Sequence, residues 1–434
     1  MAPALGPPLP ARHRPAPRRQ GLQGARAVKC RHCAHPLELV FLDLGFAPPS
    51  NAYLDAAALH RAESWFPLKL YTCTQCWLVQ TEDHAGAHEL FAADYAYFSS
   101  TSVSWLDHAA CYSRDITRRL GLGAHSHVIE VASNDGYLLR NFVQAGISCL
   151  GIEPTASTAQ AAERLGVPVL REFFGAALGR QLAAQGRSAD LVIGNNVFAH
   201  VPDINDFTLG LREVLKPGGT VTLEFPHLMR LIEQAQFDTV YHEHYSYLSL
   251  GTTMSIFGRA GLRVFDVEEL ATHGGSLRVY GCHRGDPRVD APAVAALLAT
   301  EAAAGLQGAA AYQGFQARAD RIKNDLLAFL IEQKRLGHRV AAYGAAAKGN
   351  TLLNYAGVRP DLLPYICDAA PSKQGRFTPG GHIPILEPAQ LEKRRPDVVL
   401  VLPWNLVGEV TQQLGYIRGW GARFYTCVPG MKEA

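Results

Sequence analysis

No run of this chain approaches the ~20 consecutive apolar residues that a membrane-spanning helix needs, which argues against a membrane protein. Charge imbalance is missing too. The 434 residues hold 41 Lys and Arg against 39 Asp and Glu, a net charge of +2, so no basic excess points to nucleic acid. No acidic residue stands before Glu38, and residues 1–27 carry six Pro and five Arg without the apolar centre of a secretory signal. That stretch reads as a disordered tail outside the fold. Cysteine is scarce and unevenly spent. Four of nine form Cys30-x-x-Cys33 and Cys73-x-x-Cys76, and the others stand singly at 111, 149, 282, 367 and 427. Paired knuckles without a signal favour a reduced, cytoplasmic setting and a metal over disulfides. Two knuckles complete a closed tetrahedral Zn2+ site with no open position, so its expected role is structural. The 39 residues between the knuckles exceed a usual ribbon spacing and call for a small subdomain.

Familiar fingerprints are absent as well. The dinucleotide pattern G-x-G-x-x-G is not met, the metalloprotease pattern H-E-x-x-H does not occur, and the Lys348 loop is no Walker loop because its Lys precedes the last Gly. What stands instead is a strand, Val128 to Val131, a polar loop ending in Gly136, and a helix over Tyr137 to Ala145. A second strand, Ser148 to Ile152, ends on Glu153, whose carboxylate could take a ribose diol. A loop of this kind aims backbone N–H groups and a helix N-terminus at a ligand. Glu130, Ala132, Ser133, Asn134, Asp135, Gly136 and Glu153 are therefore the candidate cofactor residues. The acidic set suits a cationic sulfonium better than a pyrophosphate, and resembles the cofactor loop of S-adenosylmethionine-dependent methyltransferases. Further along, 189–196 is a strand with a polar end, 205–215 a helix, 216–219 a turn and 220–225 a strand. Strand ends on one edge of a parallel sheet line the ligand crevice, which nominates Asn195, Asn196 and His200.

Two more polar runs stand out. Residues 94–102, with Tyr95, Tyr97 and Ser99, form either a solvated loop or a hydroxyl-rich wall facing a sugar. Tyr241-His242-Glu243-His244-Tyr245 suits a loop or strand that delivers one His as a base, since i,i+2 spacing cannot place two ligands on one helical face. Residues 287–336 read as connecting helices, and 339–350 begins a second strand, glycine loop and helix. There Lys348, Gly349 and Asn350 suit a diphosphate.

Together these motifs resemble the sugar C-methyltransferase family that acts on nucleotide-linked 4-keto-6-deoxyhexoses. The resemblance runs from Cys30 to the C-terminus and also takes in Lys373 to Gly380. It implies an α/β protein with a small N-terminal zinc module (28–90), a central Rossmann-like S-adenosylmethionine methyltransferase domain (91–285), and a helical connector with a second Rossmann-like α/β domain for the nucleotide sugar (286–434). It implies His244 as general base, with Tyr241, Glu243, His200 and Tyr97 beside it. Tyr95, Ser99, His242, Lys348, Gly349, Asn350 and Lys373 would contact the substrate, methylated at carbon 3. A monomer or dimer is expected. Ala132 stands where many members have Gly. An NAD-dependent nucleotide-sugar oxidoreductase and a non-catalytic binder are the rival readings, opposed by the missing glycine fingerprint and by the intact His244.

Overall fold

The structure, a computed structural model, describes residues 28–84 and 98–434. The expected tail 1–27, and Tyr95 and Tyr97, lie outside the described residues. None of the described helices is long and apolar enough to cross a membrane.

Three sheets organise the chain. The first joins β1 (Leu39–Ala47), β2 (Phe66–Thr72) and β3 (Val79–Thr81) in antiparallel order. β1 and β2 fill the gap between the two knuckles, and β3 follows the second. Its fourth strand, β9 (Ser246–Tyr247), follows directly on the Tyr241–Tyr245 run and pairs with β3. The small module is thus not separate: its last strand belongs to the catalytic candidate segment.

The central sheet has the order β10-β11-β8-β7-β4-β5-β6. β4 (His127–Val131), β5 (Ser148–Ile152), β6 (Val169–Leu170), β7 (Ala189–Asn195) and β8 (Leu215–Pro226) run parallel. β11 (Ser276–His283) is antiparallel to both β8 and β10 (Leu262–Leu270). The expected turn at 216–219 is a bulge inside β8. Its register against β7 jumps between Ala189↔Leu215 and Leu191↔Thr220, so Lys216 to Gly219 loop out of the ladder.

The third sheet, β14-β13-β12-β15-β16-β17, is parallel except at its last strand. It comprises β12 (Val340–Tyr343), β13 (Ile366–Cys367), β14 (Ile385–Leu386), β15 (Val398–Val401), β16 (Arg423–Thr426) and β17 (Lys432–Glu433). Near-continuous apolar strands such as Val398-Val399-Leu400-Val401 are what a sheet covered on both faces requires.

Packing ties the parts together. Phe41, Leu42, Leu68 and Leu70 of the small sheet share one core with Phe315, Ile322, Leu326 and Leu330 of helix Phe315–Arg335. Phe41 stacks on Phe315 at 4.5 Å between ring centres. Cys30, Cys73 and Leu78 pack instead into the core of the central sheet. Val294 and Leu297 of helix Pro292–Ala303 also join that central core.

Candidate active site

The four knuckle sulfurs converge. Sγ atoms of Cys30, Cys33, Cys73 and Cys76 all lie within 4.8 Å of one another, with Cys30–Cys76 and Cys33–Cys73 each at 3.5 Å. A tetrahedral ion with Zn–S bonds of about 2.3 Å sets its sulfurs about 3.8 Å apart, so the cluster fits zinc. Gln80 Nε2 donates to Cys30 Sγ at 3.2 Å, and Gln80 Oε1 accepts from the Arg31 N–H at 2.8 Å. That outer layer fixes the knuckle and favours the thiolate. All four sulfurs face one another, which leaves the ion a structural rather than a catalytic position.

The candidate cofactor residues gather at the carboxyl ends of β4, β5 and β7. Ala132 and Asn134 hold φ of 57° and 48°, and Gly136 holds 78°. An L side chain at such angles costs about 1–2 kcal/mol, a strain that a glycine at position 132 would relieve. At Gly136 the constraint is also steric, because a Cβ there would lie 3.0 Å from the Ala162 methyl. Glu153 is buried; its Oε2 accepts the Asn134 N–H at 2.9 Å and its Oε1 the Thr155 N–H at 3.0 Å. Burial, then the Asp135 and Glu153 carboxylates, push the Glu130 carboxyl well above its usual range, while Tyr137 opposes them. Both amide atoms of Asn195, Oδ1 of Asn196, Oδ1 of Asp135 and Ser133 Oγ are buried without hydrogen-bond partners. So many orphaned polar atoms at one crevice fit a polar ligand such as S-adenosylmethionine. Ser99, expected among the sugar contacts, lies on this loop instead. Its N–H donates to Asn134 Oδ1 at 2.9 Å, and the Ser100 N–H donates to Asp135 Oδ2 at 3.0 Å.

The 241–245 run is a turn, not a helix. His244 Nδ1 donates to the Thr239 carbonyl at 2.9 Å, which leaves Nε2 carrying the lone pair. The Tyr241 and His200 rings lie 4.0 and 4.5 Å from the His244 ring. Burial, reinforced by His200, holds the His244 imidazole well below its ordinary 6.5 and hence neutral. His200 is lowered to about 4 by burial. The Glu243 side chain faces the small module. Its carboxylate accepts from Asn51 Nδ2 at 2.8 Å on both oxygens, which ties the turn to the small module. His242 also turns to that module, with Nε2 against the Phe66 carbonyl at 3.3 Å, so it is a strut rather than a sugar contact.

The C-terminal domain closes the other side. Lys348 is half-buried and donates to Asn405 Oδ1 at 2.7 Å. Its two neighbours are buried against other elements. Gly349 is packed so close to Leu402 that a Cβ would stand 2.9 Å from it. Asn350 is 1% exposed and donates to the Ser50 carbonyl. Lys373 is half-buried beside Asp368, 3.4 Å away.

Three family models match consecutive parts of the chain: a zinc binding domain over residues 30–91, a methyltransferase domain over 105–267 and a C-methyltransferase C-terminal domain over 271–429. C-methyltransferase NovU of Streptomyces niveus is 33% identical over 401 residues, which cover 92% of this chain and 95% of that protein. The chain belongs to the C-methyltransferase family. An uncharacterized methyltransferase of Mycobacterium leprae (strain TN) is 32% identical over 98 residues, 23% of this chain and 36% of that one. A solved S-adenosylmethionine-dependent methyltransferase from Clostridium acetobutylicum covers 42% of this chain at 10% identity, with a TM-score of 0.34.

This C-methyltransferase is an S-adenosylmethionine-dependent enzyme, and several groups in its cleft escaped the sequence reading. His273 holds φ of 54°, meets Asn196 Nδ2 at 3.1 Å and sits against Trp105. Gly274 beside it allows Trp404 to approach, since a Cβ there would lie 2.3 Å from the indole. Asp238 is fully buried, raised to about 6 by burial, and bonded to Trp404 Nε1. Behind His273, Glu224 accepts from Arg278 at 2.7 Å, from the Thr272 hydroxyl at 3.1 Å and meets His108 at 3.0 Å. Charged residues inside the apolar strands at 220–225 and 276–280 were the available signal.

Proposed function

We propose that this enzyme methylates carbon 3 of a nucleotide-linked 4-keto-6-deoxyhexose through an enolate formed by His244. One observation supports the reading: a buried, neutral imidazole whose Nδ1–H is committed to a carbonyl, so that Nε2 is left with the lone pair a base needs. Bound S-adenosylmethionine supplies an electrophilic methyl group on a sulfonium sulfur. The residues at 130–136 with Glu153, Asn195 and Asn196 hold it. His244 takes the proton from the carbon beside the ketone. Tyr241 and His200 pack against that imidazole and limit its movement, and Tyr97 and Tyr95 are assigned to the sugar on sequence grounds. Lys373 supplies the cation of the nucleotide side. The three-part division near residues 90 and 285 belongs to the same reading, although the core contacts of Val294 and Leu297 extend the central part to Ala303.

Incubation with S-adenosylmethionine and a panel of thymidine- and guanosine-diphosphate 4-keto-6-deoxyhexoses should give one product heavier by a methylene unit. Carbon-13 labelling should place the new methyl on carbon. A panel with no methylated product, or methyl found on oxygen, overturns the proposal. A second test isolates the cofactor site. Glu153→Ala should weaken S-adenosylmethionine binding by about 1.5–3 kcal/mol, the worth of a charged hydrogen bond, and leave nucleotide-sugar binding nearly unchanged. Wild-type cofactor affinity in calorimetry would move the ribose contact to another residue.

A further inference from the structure

Lys348 is the second residue of helix Ala347–Ala356, but its surroundings differ from those of a surface lysine. Besides its bond to Asn405, Nζ lies 4.8 Å from the centre of the Trp404 ring. The Trp404 indole N–H donates at 2.7 Å to Asp238 Oδ2, and the other Asp238 oxygen is buried without a partner. Asp238 immediately precedes Thr239, the residue whose carbonyl fixes the His244 tautomer. A second tie runs from the same helix, since Thr351 Oγ1 donates to the Val240 carbonyl at 2.8 Å. One short turn, Asp238 to Val240, therefore ties the base to the helix that carries the lysine and to the indole beneath its ammonium. Burial chiefly lowers the His244 and His273 imidazoles, which different elements deliver, and the Lys348 charge adds to the effect at both. Burial lowers the Lys348 pKa while Asp238 opposes it.

We propose that Lys348 is a catalytic residue whose ammonium contacts the ketone oxygen of the sugar and stabilises the negative charge that develops there. This rests on the enolate reading above and adds the group that the enolate requires. The C–H bond beside the ketone breaks, its proton goes to His244 Nε2, and its electron pair moves onto the ketone oxygen. Lys348 keeps its own proton throughout. The pair then forms the new carbon–carbon bond as the methyl leaves sulfur with the S–C pair remaining behind, and His244 returns its proton to solvent. A cation serving a diphosphate acts on the ground state, whereas one serving the enolate acts only when charge develops, so the two roles separate in kinetics.

The test compares Lys348→Met and Lys348→Arg with wild type. Calorimetry measures binding of thymidine diphosphate and guanosine diphosphate, and NMR follows deuterium uptake by the 4-keto sugar in heavy water with S-adenosylhomocysteine bound. The Met variant should bind the diphosphates as wild type does and lose exchange and methyl transfer together by ~10²–10³-fold, the effect of one oxyanion donor. The Arg variant, which keeps the charge, should recover part of both. Lost diphosphate affinity with kcat retained would assign Lys348 to the diphosphate and overturn the proposal. Arg and Met variants equally inactive, with weakened S-adenosylmethionine binding, would make the role structural and also overturn it. Wild-type enzyme that neither exchanges nor methylates any of the sugars removes the enolate reading itself, a failure visible before any variant is made.

Discussion

His244→Asn should bind S-adenosylmethionine and the nucleotide sugar yet lose methyl transfer by ~10²–10⁴-fold, the usual contribution of a positioned general base. The variant keeps a donor for the Thr239 carbonyl and nearly the same volume, but no atom that accepts a proton from carbon. Solvent deuterium exchange at the carbon beside the ketone should fall with transfer. Retained exchange with lost transfer would shift the base elsewhere, and His200, 4.5 Å away and also neutral, is the group to change next. The pH profile supplies a second readout. Proton abstraction needs the neutral imidazole, and burial disfavours its charged form. With the pKa below 6.5, kcat/KM should stay level from neutrality through 6.5 and fall only at lower pH. An acid limb at or above 6.5 would contradict a buried, desolvated base.

Cys73→Ser should give insoluble or heat-labile protein, and chelation of the wild type should lower thermal stability and activity together. Structural zinc contributes on the order of 10–16 kcal/mol to the folding of small zinc domains. Whole proteins are stable by only about 5–15 kcal/mol, so losing even part of that term unfolds the module. The effect does not stop there. The Thr81 N–H donates to the Tyr245 carbonyl at 3.2 Å, and the Thr81 hydroxyl lies 3.4 Å from the His244 carbonyl. Asn51 holds Glu243 from the same side. Activity should therefore track the zinc-loaded fraction, measured as metal per chain on soluble protein. Soluble, fully active enzyme without zinc would end this account.

Local signals carried the sequence reading furthest. The C-x-x-C pairs and the loop from Glu130 to Gly136 are fixed by spacing and by the torsions that short segments impose, and both gather as expected. The strand alternation around them likewise places Glu153 and Asn195 at one crevice. What stayed hidden depends on contacts between distant residues. Nothing near Glu243 announces Asn51 as its partner 192 positions away. Gly349 and Asn350 read as ligand contacts because a glycine loop beside a cation looks alike whether it faces a phosphate or a packed Leu402. Asp238 and Trp404, 166 residues apart, acquire meaning only when the C-terminal domain docks.

The pairing of β3 with β9 sets a schedule for synthesis. β3 ends at Thr81 and β9 begins at Ser246, so 165 residues must be made before the small sheet gains its last strand. At about 5–20 residues per second, the nascent chain carries that open edge for roughly ten to thirty seconds. An unpaired strand edge is a template for pairing with other chains. The metal knuckles flanking β1 and β2 emerge first and can lock the early strands before their partner exists. Zinc supply during translation, rather than only in the finished enzyme, then governs how much of each batch escapes aggregation.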